Sequence, residues 1–291
     1  IGGDSLGLAG LGLKVLAVEA DEVTAALAAY NLAPFGDDVT VQHGTAEETD
    51  LAGVDAVWLD PARRTEGHSD TKRLADPADF TPRLDWTFDL ISRIPGGVKL
   101  GPGTHRELIP AGAEAQWITV GTTTIELVLW TGTLARPGVG RAAVVVRGDE
   151  WHEMTAAGAA ENAPRRALGA FVHEPAGSVI RAQLIGQVAE GLDAGMLDPD
   201  IAYLTGDAAV TSPFVATFRV REELPFDIRR LGAALRERGI GTLEIKKRGV
   251  DLDPAQLRTK LKLRGKDAAT LILTRVGNTR TAILADRVGA A

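Results

Sequence analysis

Two short stretches and one isolated acid carry residue types that can do chemistry. Gly2-Gly3-Asp4 opens the chain and runs into an Ala/Leu/Gly stretch, 5–11, that reads as a helix. Glu19 lies 16 residues after Gly3, at the end of the apolar run 13–18. In a doubly wound sheet, a glycine turn lets the backbone approach a ligand. A strand-end carboxylate there accepts hydrogen bonds from both ribose hydroxyls, so the pair points to an adenosine-like ligand. The nicotinamide fingerprint G-x-G-x-x-G is not met, and a glycine pair followed by an acid fits S-adenosylmethionine better than a pyrophosphate. Asp60-Pro61-Ala62-Arg63-Arg64 ends another apolar run, 55–59. This places Asp60 at the carboxyl edge of the same sheet, with Pro61 stiffening the exit. A carboxylate in that position holds an acceptor amine or hydroxyl with its lone pair facing the cofactor methyl. Displacement from a sulfonium needs positioning more than acid–base power.

Rival chemistries leave traces too. Gly3-Asp4-Ser5-Leu6-Gly7 matches the G-x-S-x-G elbow of serine hydrolases, and Asp60 or Asp89 with His105 or His173 completes the triad order. That reading makes Ser5 a nucleophile. It requires a strand feeding the elbow, which the sequence does not offer. It also leaves Glu19 and the Asp-Pro segment without a role. The histidines His43, His68, His105, His152 and His173 are not spaced as a ligand pair, so no metal is expected. Zero cysteines exclude a thiolate zinc site, a disulfide framework and a cysteine nucleophile in this chain. No apolar run approaches the roughly 18 residues that cross a bilayer. The start lacks the charged, apolar pattern of a signal peptide, and a cytoplasmic protein is expected.

The elements that position these residues follow from periodicity. A buried strand over 13–19 precedes a helix over 21–32, with Asp21 as cap and Val23, Leu27 and Tyr30 at helical spacing. Strands are expected at 39–41, 55–59 and 98–100, with an amphipathic helix at 83–94. Residues 116–130 and 142–147 read as a closing antiparallel pair. Strands alternating with helices imply a mostly parallel sheet covered on both faces. A helix is expected over 178–196, where Ile180, Leu184, Val188 and Leu192 recur every four residues. A second α/β module begins near Phe214: strand 214–221, helix 226–238, strand 242–247, helix 254–264 and hairpin 270–287. The helix at 254 carries Asp253 as cap, Pro254 in its first turn and Gly265 just past its end. The expected domains are 1–150, a Rossmann-like α/β domain; 151–213, a helical linking region; and 214–291, a small basic α/β domain.

Charge separates the same regions. Pro225 to Ala291 holds 15 Lys+Arg and 7 Asp+Glu, a net of +8, while residues 1–224 hold 17 and 32, a net of −15. A basic module on an acidic body fits a polyanionic partner. Lys246, Lys247 and Arg248 end a strand, and Arg258 and Lys262 share a face of the next helix. These residues, with Arg63 and Arg64, are the candidate contacts to an anionic substrate. The only aromatic residue after Pro225 is Phe226, so phosphate and shape recognition of folded RNA is favoured over base stacking.

Gly2-Gly3-Asp4, Leu16-Ala17-Val18-Glu19, Leu59-Asp60-Pro61-Ala62-Arg63-Arg64 and Val98-Lys99-Leu100-Gly101-Pro102-Gly103 stand in an order and spacing that resembles class I S-adenosylmethionine-dependent methyltransferases. The tail, Ile201 to Asp207 and Leu243 to Gly249, resembles the bacterial members with a C-terminal THUMP-like domain. The resemblance implies a Rossmann-like methyltransferase with S-adenosylmethionine as cofactor and RNA as the substrate class. It assigns Gly2, Gly3 and Asp4 to the methionine end of the cofactor and Glu19 to the ribose. It places Thr45 and Ala46 beside the adenine, and Asp60 and Pro61 at the acceptor. The strand that leads into the glycine turn in the family does not precede it here, so the chain is expected to be a fragment of a working enzyme. Uridine-C5 enzymes share an Asp-Pro-x-Arg segment but need a cysteine, so nitrogen or oxygen is the expected acceptor atom. A second reading keeps the fold as a scaffold for RNA binding without catalysis.

Overall fold

A computed structural model describes residues 1–63, 79–277 and 279–289. The chain divides into two compact units, Ile1–Pro95 and Gly96–Ala291. The first unit opens with α1 (Gly3–Gly10), β1 (Val15–Glu19), α2 (Glu22–Leu32) and β2 (Val39–His43). It continues with β3 (Val57–Leu59), β4 (Ala62–Arg63), β5 (Phe80–Thr81) and α3 (Leu84–Arg93). β1 and β2 pair in parallel, from Val15 opposite Val39 to Glu19 opposite His43. β4 and β5 form a small antiparallel pair.

α2 starts where the sequence places it, because the Asp21 carboxylate accepts the Thr24 N–H at 2.8 Å. Its buried face is not the expected one. Ala25, Ala28 and Leu32 are buried, whereas Val23, Leu27 and Tyr30 stay exposed. Small residues let the helix lie close to the sheet, and the bulkier apolar stripe is turned outward.

The second unit contains two sheets. The first joins β6 (Gly96–Leu100), β7 (Glu114–Val120), β8 (Thr123–Trp130), β9 (Arg141–Arg147) and β10 (Glu150–Ala156), in the order β10-β9-β7-β8-β6. The expected antiparallel pair of 116–130 with 142–147 is corrected here. The first stretch is itself a hairpin, β7 and β8, turning at Gly121 (φ +60°). β9 then crosses to the far side of β7 and pairs with it in parallel.

The second sheet contains β11 (Phe171–Pro175), β12 (Gly195–Asp198), β13 (Ile201–Gly206), β14 (Val215–Leu224), β15 (Ile240–Lys247), β16 (Asp267–Val276) and β17 (Thr279–Val288). Their order is β12-β13-β11-β14-β17-β16-β15, antiparallel except for β15 with β16. The stretch 151–213 is therefore not a helical linker. It carries most of β10, all of β11 to β13, and two short helices, α4 (Gly177–Ala182) and α5 (Ile185–Gly191).

The single helix expected over 178–196 breaks at Gln183, which is left-handed (φ +58°). The Gln183 carbonyl accepts the Ala160 N–H, and a Cβ on Gly186 would strike the Glu161 carbonyl. The passing segment thus occupies the space through which a continuous helix would run.

α6 (Ile228–Glu237) and α7 (Pro254–Leu261) cover one face of the second sheet. Leu231 and Leu235 of α6 and Leu257 and Leu261 of α7 are buried against Leu243, Leu271, Leu273 and Leu284. Each such side chain contributes about 1.5–3 kcal/mol by leaving water. Val172, Tyr203, Phe218, Ile272 and Ile283 pack on the opposite face. α7 begins as expected, with Asp253 accepting the Gln256 N–H at 2.7 Å. It ends earlier than expected, at Leu261, with Lys262 in the left-handed region (φ +48°). Gly265 has a different task from capping. A Cβ there would collide with the carbonyl of Gly239.

Candidate functional site

Within the first unit, Gly2 takes φ +74° immediately before α1, a conformation that suits glycine. A Cβ there would meet Leu32 and Ala28 of α2 at ordinary contact distance, so the backbone conformation, not space, is what favours glycine. No side chain caps α1 at Gly2, so its first N–H groups are not capped from that residue. Asp4, in that first turn, accepts the Trp58 indole N–H at 2.9 Å. Trp58 lies on β3, two residues before Asp60. The bond therefore ties the glycine turn to the strand that carries the Asp-Pro segment. Trp58 was not singled out from sequence, since a tryptophan in an apolar strand announces only a core residue.

Glu19 ends β1. Its Oε1 accepts the Asp21 N–H at 3.0 Å, and its backbone carbonyl accepts the Gly44 N–H at 3.0 Å. Because Glu19 stands opposite His43 in a parallel pair, both strands finish at the same edge. Thr45 and Ala46 thus leave β2 beside Glu19. The Thr45 hydroxyl donates to Glu48 at 3.0 Å, and Ala46 opens the 3-10 turn Ala46–Glu48. Asp60 is exposed between buried Leu59 and buried Pro61. The Arg63 backbone pairs with Phe80. Arg64 and His68 lie outside the described residues.

Ser5 sits inside α1, and the whole Gly3–Gly7 pattern is helical. A nucleophile elbow needs a sharp turn from strand to helix at the serine. The serine-hydrolase reading is corrected on that ground. Among the described residues no group of three or more His, Asp and Glu side chains is placed to hold a metal. No helix among them is long and apolar enough to cross a membrane.

In the second unit the predicted basic residues divide between two faces of one sheet. Lys246 Nζ lies 2.6 Å from Glu174 and 5.6 Å from the centre of the Phe218 ring. Arg248 lies 3.5 Å from Glu174 and over Tyr203 at 5.4 Å. Arg287 covers Phe218 at 4.8 Å and pairs with Glu244 at 2.7 Å. Burial pushes the Glu244 carboxyl up, but hydrogen bonds from Arg287 and Thr270 outweigh it and hold the group below its ordinary value.

Strand alternation puts Lys247 on the other side, with Leu243 and Ile245. Arg258 is on that side too, donating to the Leu243 carbonyl at 2.6 Å. Lys262 is exposed at the end of α7. Lys247, Arg258 and Lys262 therefore belong to the side covered by α6 and α7, and Lys246 and Arg248 to the opposite side. The rings beneath these cations, Phe218 and Tyr203, come from β14 and β13, upstream of the basic stretch, and are fully buried.

The fold agrees with what known proteins show. A Porphyromonas gingivalis protein, whose crystal structure was determined as that of a proposed methyltransferase, superposes with a TM-score of 0.72 at 20% identity, covering 94% of this chain and 71% of that one. The chain thus has a methyltransferase-like fold with a second small domain. The THUMP domain-like family matches residues 215–287. An uncharacterized S-adenosylmethionine-dependent methyltransferase of Mycobacterium tuberculosis, found in two strains, is 31% identical over 289 residues, 95% of this chain and 75% of the relative. The chain belongs to this family of S-adenosylmethionine-dependent methyltransferases. It is an enzyme of that class, and S-adenosylmethionine is its cofactor.

Proposed function

We propose that this methyltransferase modifies RNA in the cytoplasm, at a nitrogen or oxygen atom. The observation that carries the RNA reading is the net charge of +8 between Pro225 and Ala291, a stretch that largely coincides with the THUMP-like match, on a body of net −15. Lysines and arginines displace counterions from a phosphate backbone, and acidic surfaces elsewhere orient the approach. Lys246, Lys247, Arg248, Arg258 and Lys262 supply cations for that contact, and Arg63 and Arg64 follow the acceptor segment in sequence. The chain holds no cysteine, which removes the carbon-5 route that depends on a thiolate in this chain. The division of labour is 1–150 for methyl transfer and 214–291 for RNA, with 151–213 contributing β11 to β13 to the sheet of the latter.

The first unit fits the cofactor. The uncapped first turn of α1 suits a carboxylate, and Gly2 and Gly3 present backbone without a side chain. Asp4 lines the methionine end, Glu19 has an oxygen for a ribose hydroxyl, and Thr45 and Ala46 flank the adenine. When bound, the cofactor supplies a methyl group activated by a sulfonium. Asp60 accepts a hydrogen bond from the acceptor N–H or O–H and fixes the direction of its lone pair. Buried Pro61 holds the backbone at that point and limits how far Asp60 wanders. Positioning of this kind is the main demand of a one-step displacement. Incubation of the protein with tritiated cofactor and fractionated cellular RNA tests the reading. Label in a discrete RNA fraction is expected; label in protein alone overturns the RNA assignment.

A further inference from the structure

The second unit contains a cavity of about 700 Å³ between the loop after β6, the β7–β8 turn, α4 and the end of β15. Three arginines from separate elements line it: Arg106, Arg181 and Arg248. Arg106 and Arg181 are exposed, and among the described residues neither makes an ion pair or a side-chain hydrogen bond. Arg248 is held in place by Glu174 and by the face of Tyr203. Its Nε–H is buried and finds no hydrogen-bond partner. Thr122 and Thr123 also line it. Glu107 is the one carboxylate lining the cavity among the described residues, and it lies beside His105 at 3.9 Å.

We infer that this cavity is a phosphate-binding site, with Arg106 and Arg181 as mobile clamps and Arg248 as the fixed one. Guanidinium groups pair with phosphate oxygens through two parallel hydrogen bonds, which a lysine cannot match. None of these arginines except Arg248 stands out in the sequence, because they are scattered over 142 positions, from Arg106 to Arg248.

The phosphate comes either from an RNA strand or from a free nucleotide, and the RNA source rests on the function proposed above. The test is calorimetric titration of the full chain with inorganic phosphate and with cytidine 5′-monophosphate, alongside anisotropy of a labelled single-stranded RNA at several salt concentrations. Cytidine is chosen so that the probe does not mimic the adenosine of the cofactor. In Arg106→Ala/Arg181→Ala, phosphate and nucleotide affinity is expected to fall at least ten-fold. The two side chains are exposed, so the fold is retained. If RNA is the source, its affinity falls at least ten-fold as well. The slope of log affinity against log salt then drops by about 1.4, roughly 0.7 per lost cation. If a free nucleotide is the source, RNA affinity stays as in the parent protein. The charge-matched variant Arg229→Ala/Arg230→Ala on α6 keeps full phosphate affinity. Loss of phosphate in the cavity variant, with no RNA binding by the parent protein, removes the RNA reading and leaves the site standing. Equal affinities in parent and cavity variant for all three probes, or no binding of any probe by the parent, overturn the site. So does an equal loss in the α6 variant.

Discussion

Replacing Glu19 separates a cofactor contact from a structural one. Glu19 Oε1 is occupied by the Asp21 N–H at 3.0 Å, which leaves the other oxygen for a ribose hydroxyl. One hydrogen bond to a charged acceptor contributes about 1.5–3 kcal/mol. Glu19 is half-exposed, so the lower end applies, about 1.5 kcal/mol or roughly ten-fold in Kd. Glu19→Gln keeps an amide oxygen for the Asp21 N–H and loses only the charge. It is expected to weaken S-adenosylhomocysteine binding about ten-fold by calorimetry, with an unchanged melting temperature. Glu19→Ala also releases the Asp21 N–H at the entry to α2, so its affinity and melting temperature both fall. Asp21→Ala removes the cap on the Thr24 N–H but leaves the Glu19 carboxylate. It is expected to lower the melting temperature with little change in affinity. Equal affinity in Glu19→Gln and the parent protein would refute the ribose assignment, whatever the alanine variant does.

The other predictions address the acceptor, the discarded nucleophile and the scaffold. Asp60→Ala is expected to abolish methyl transfer while S-adenosylhomocysteine affinity stays within two-fold; unchanged turnover in a labelled-cofactor assay removes Asp60 from the mechanism. Ser5→Ala is expected to leave transfer intact, and a serine-reactive phosphonate should not label the parent protein at Ser5. Gly265→Ala drives a methyl group into the Gly239 carbonyl and should destabilise the protein by about 1–3 kcal/mol in urea unfolding, where an unchanged midpoint would contradict the close approach. His173 is fully buried, with its Nδ1 at 3.0 Å from the Thr217 hydroxyl, and burial pushes its basicity below the ordinary histidine value. The unfolded chain then takes up a proton near pH 6.5 that the folded one refuses. Its contribution is fully present above that pH and declines below it, by up to about 1.4 kcal/mol per pH unit until the folded value is reached. His173→Gln should remove that part of the slope, and parallel stability-versus-pH curves for the two proteins would exclude it.

Local signals were legible where the physics is local. The Asp21 and Asp253 caps, the Pro254 start and the strand ending at Glu19 need only neighbours within a few residues. Pairing was not legible. The β7–β8 hairpin and β9 have the Thr- and Val-rich composition of any buried antiparallel pair, and nothing in it tells β9 to cross to the other edge of β7. The face of α2 misled for a related reason. Hydrophobic spacing identifies a helix, but how closely a sheet approaches decides whether Ala25 and Ala28 or Leu27 and Tyr30 are turned inward. Of the candidate site, the glycine turn, Glu19 and Asp60 were readable because each sits at the end of an element. The Trp58 to Asp4 bond was not, since it joins residues 54 positions apart.

The ion pairs change which cations an anionic strand can use. Sequence alone treats Lys246, Lys247 and Arg248 as one cluster. In the fold Lys246 and Arg248 share Glu174, and Lys246 and Arg287 share Glu244. Three cations thus face two carboxylates over buried rings. That arrangement neutralises most of this face and makes its charged residues part of the sheet's own packing. By contrast, Lys247, Lys260, Lys262, Arg264 and Lys266 form no ion pair among the described residues, and they gather on β15, α7 and the segment after it. A phosphate backbone gains most where it releases counterions from cations that have no internal partner. The α7 side, rather than the face of Lys246 and Arg248, is therefore the stronger source of non-specific affinity. The three arginines around the cavity add a contact with defined geometry to that diffuse attraction. On this account, removing the α7-side lysines weakens binding to every RNA alike, whereas removing Arg106 and Arg181 costs RNA affinity only if the cavity takes its phosphate from the strand.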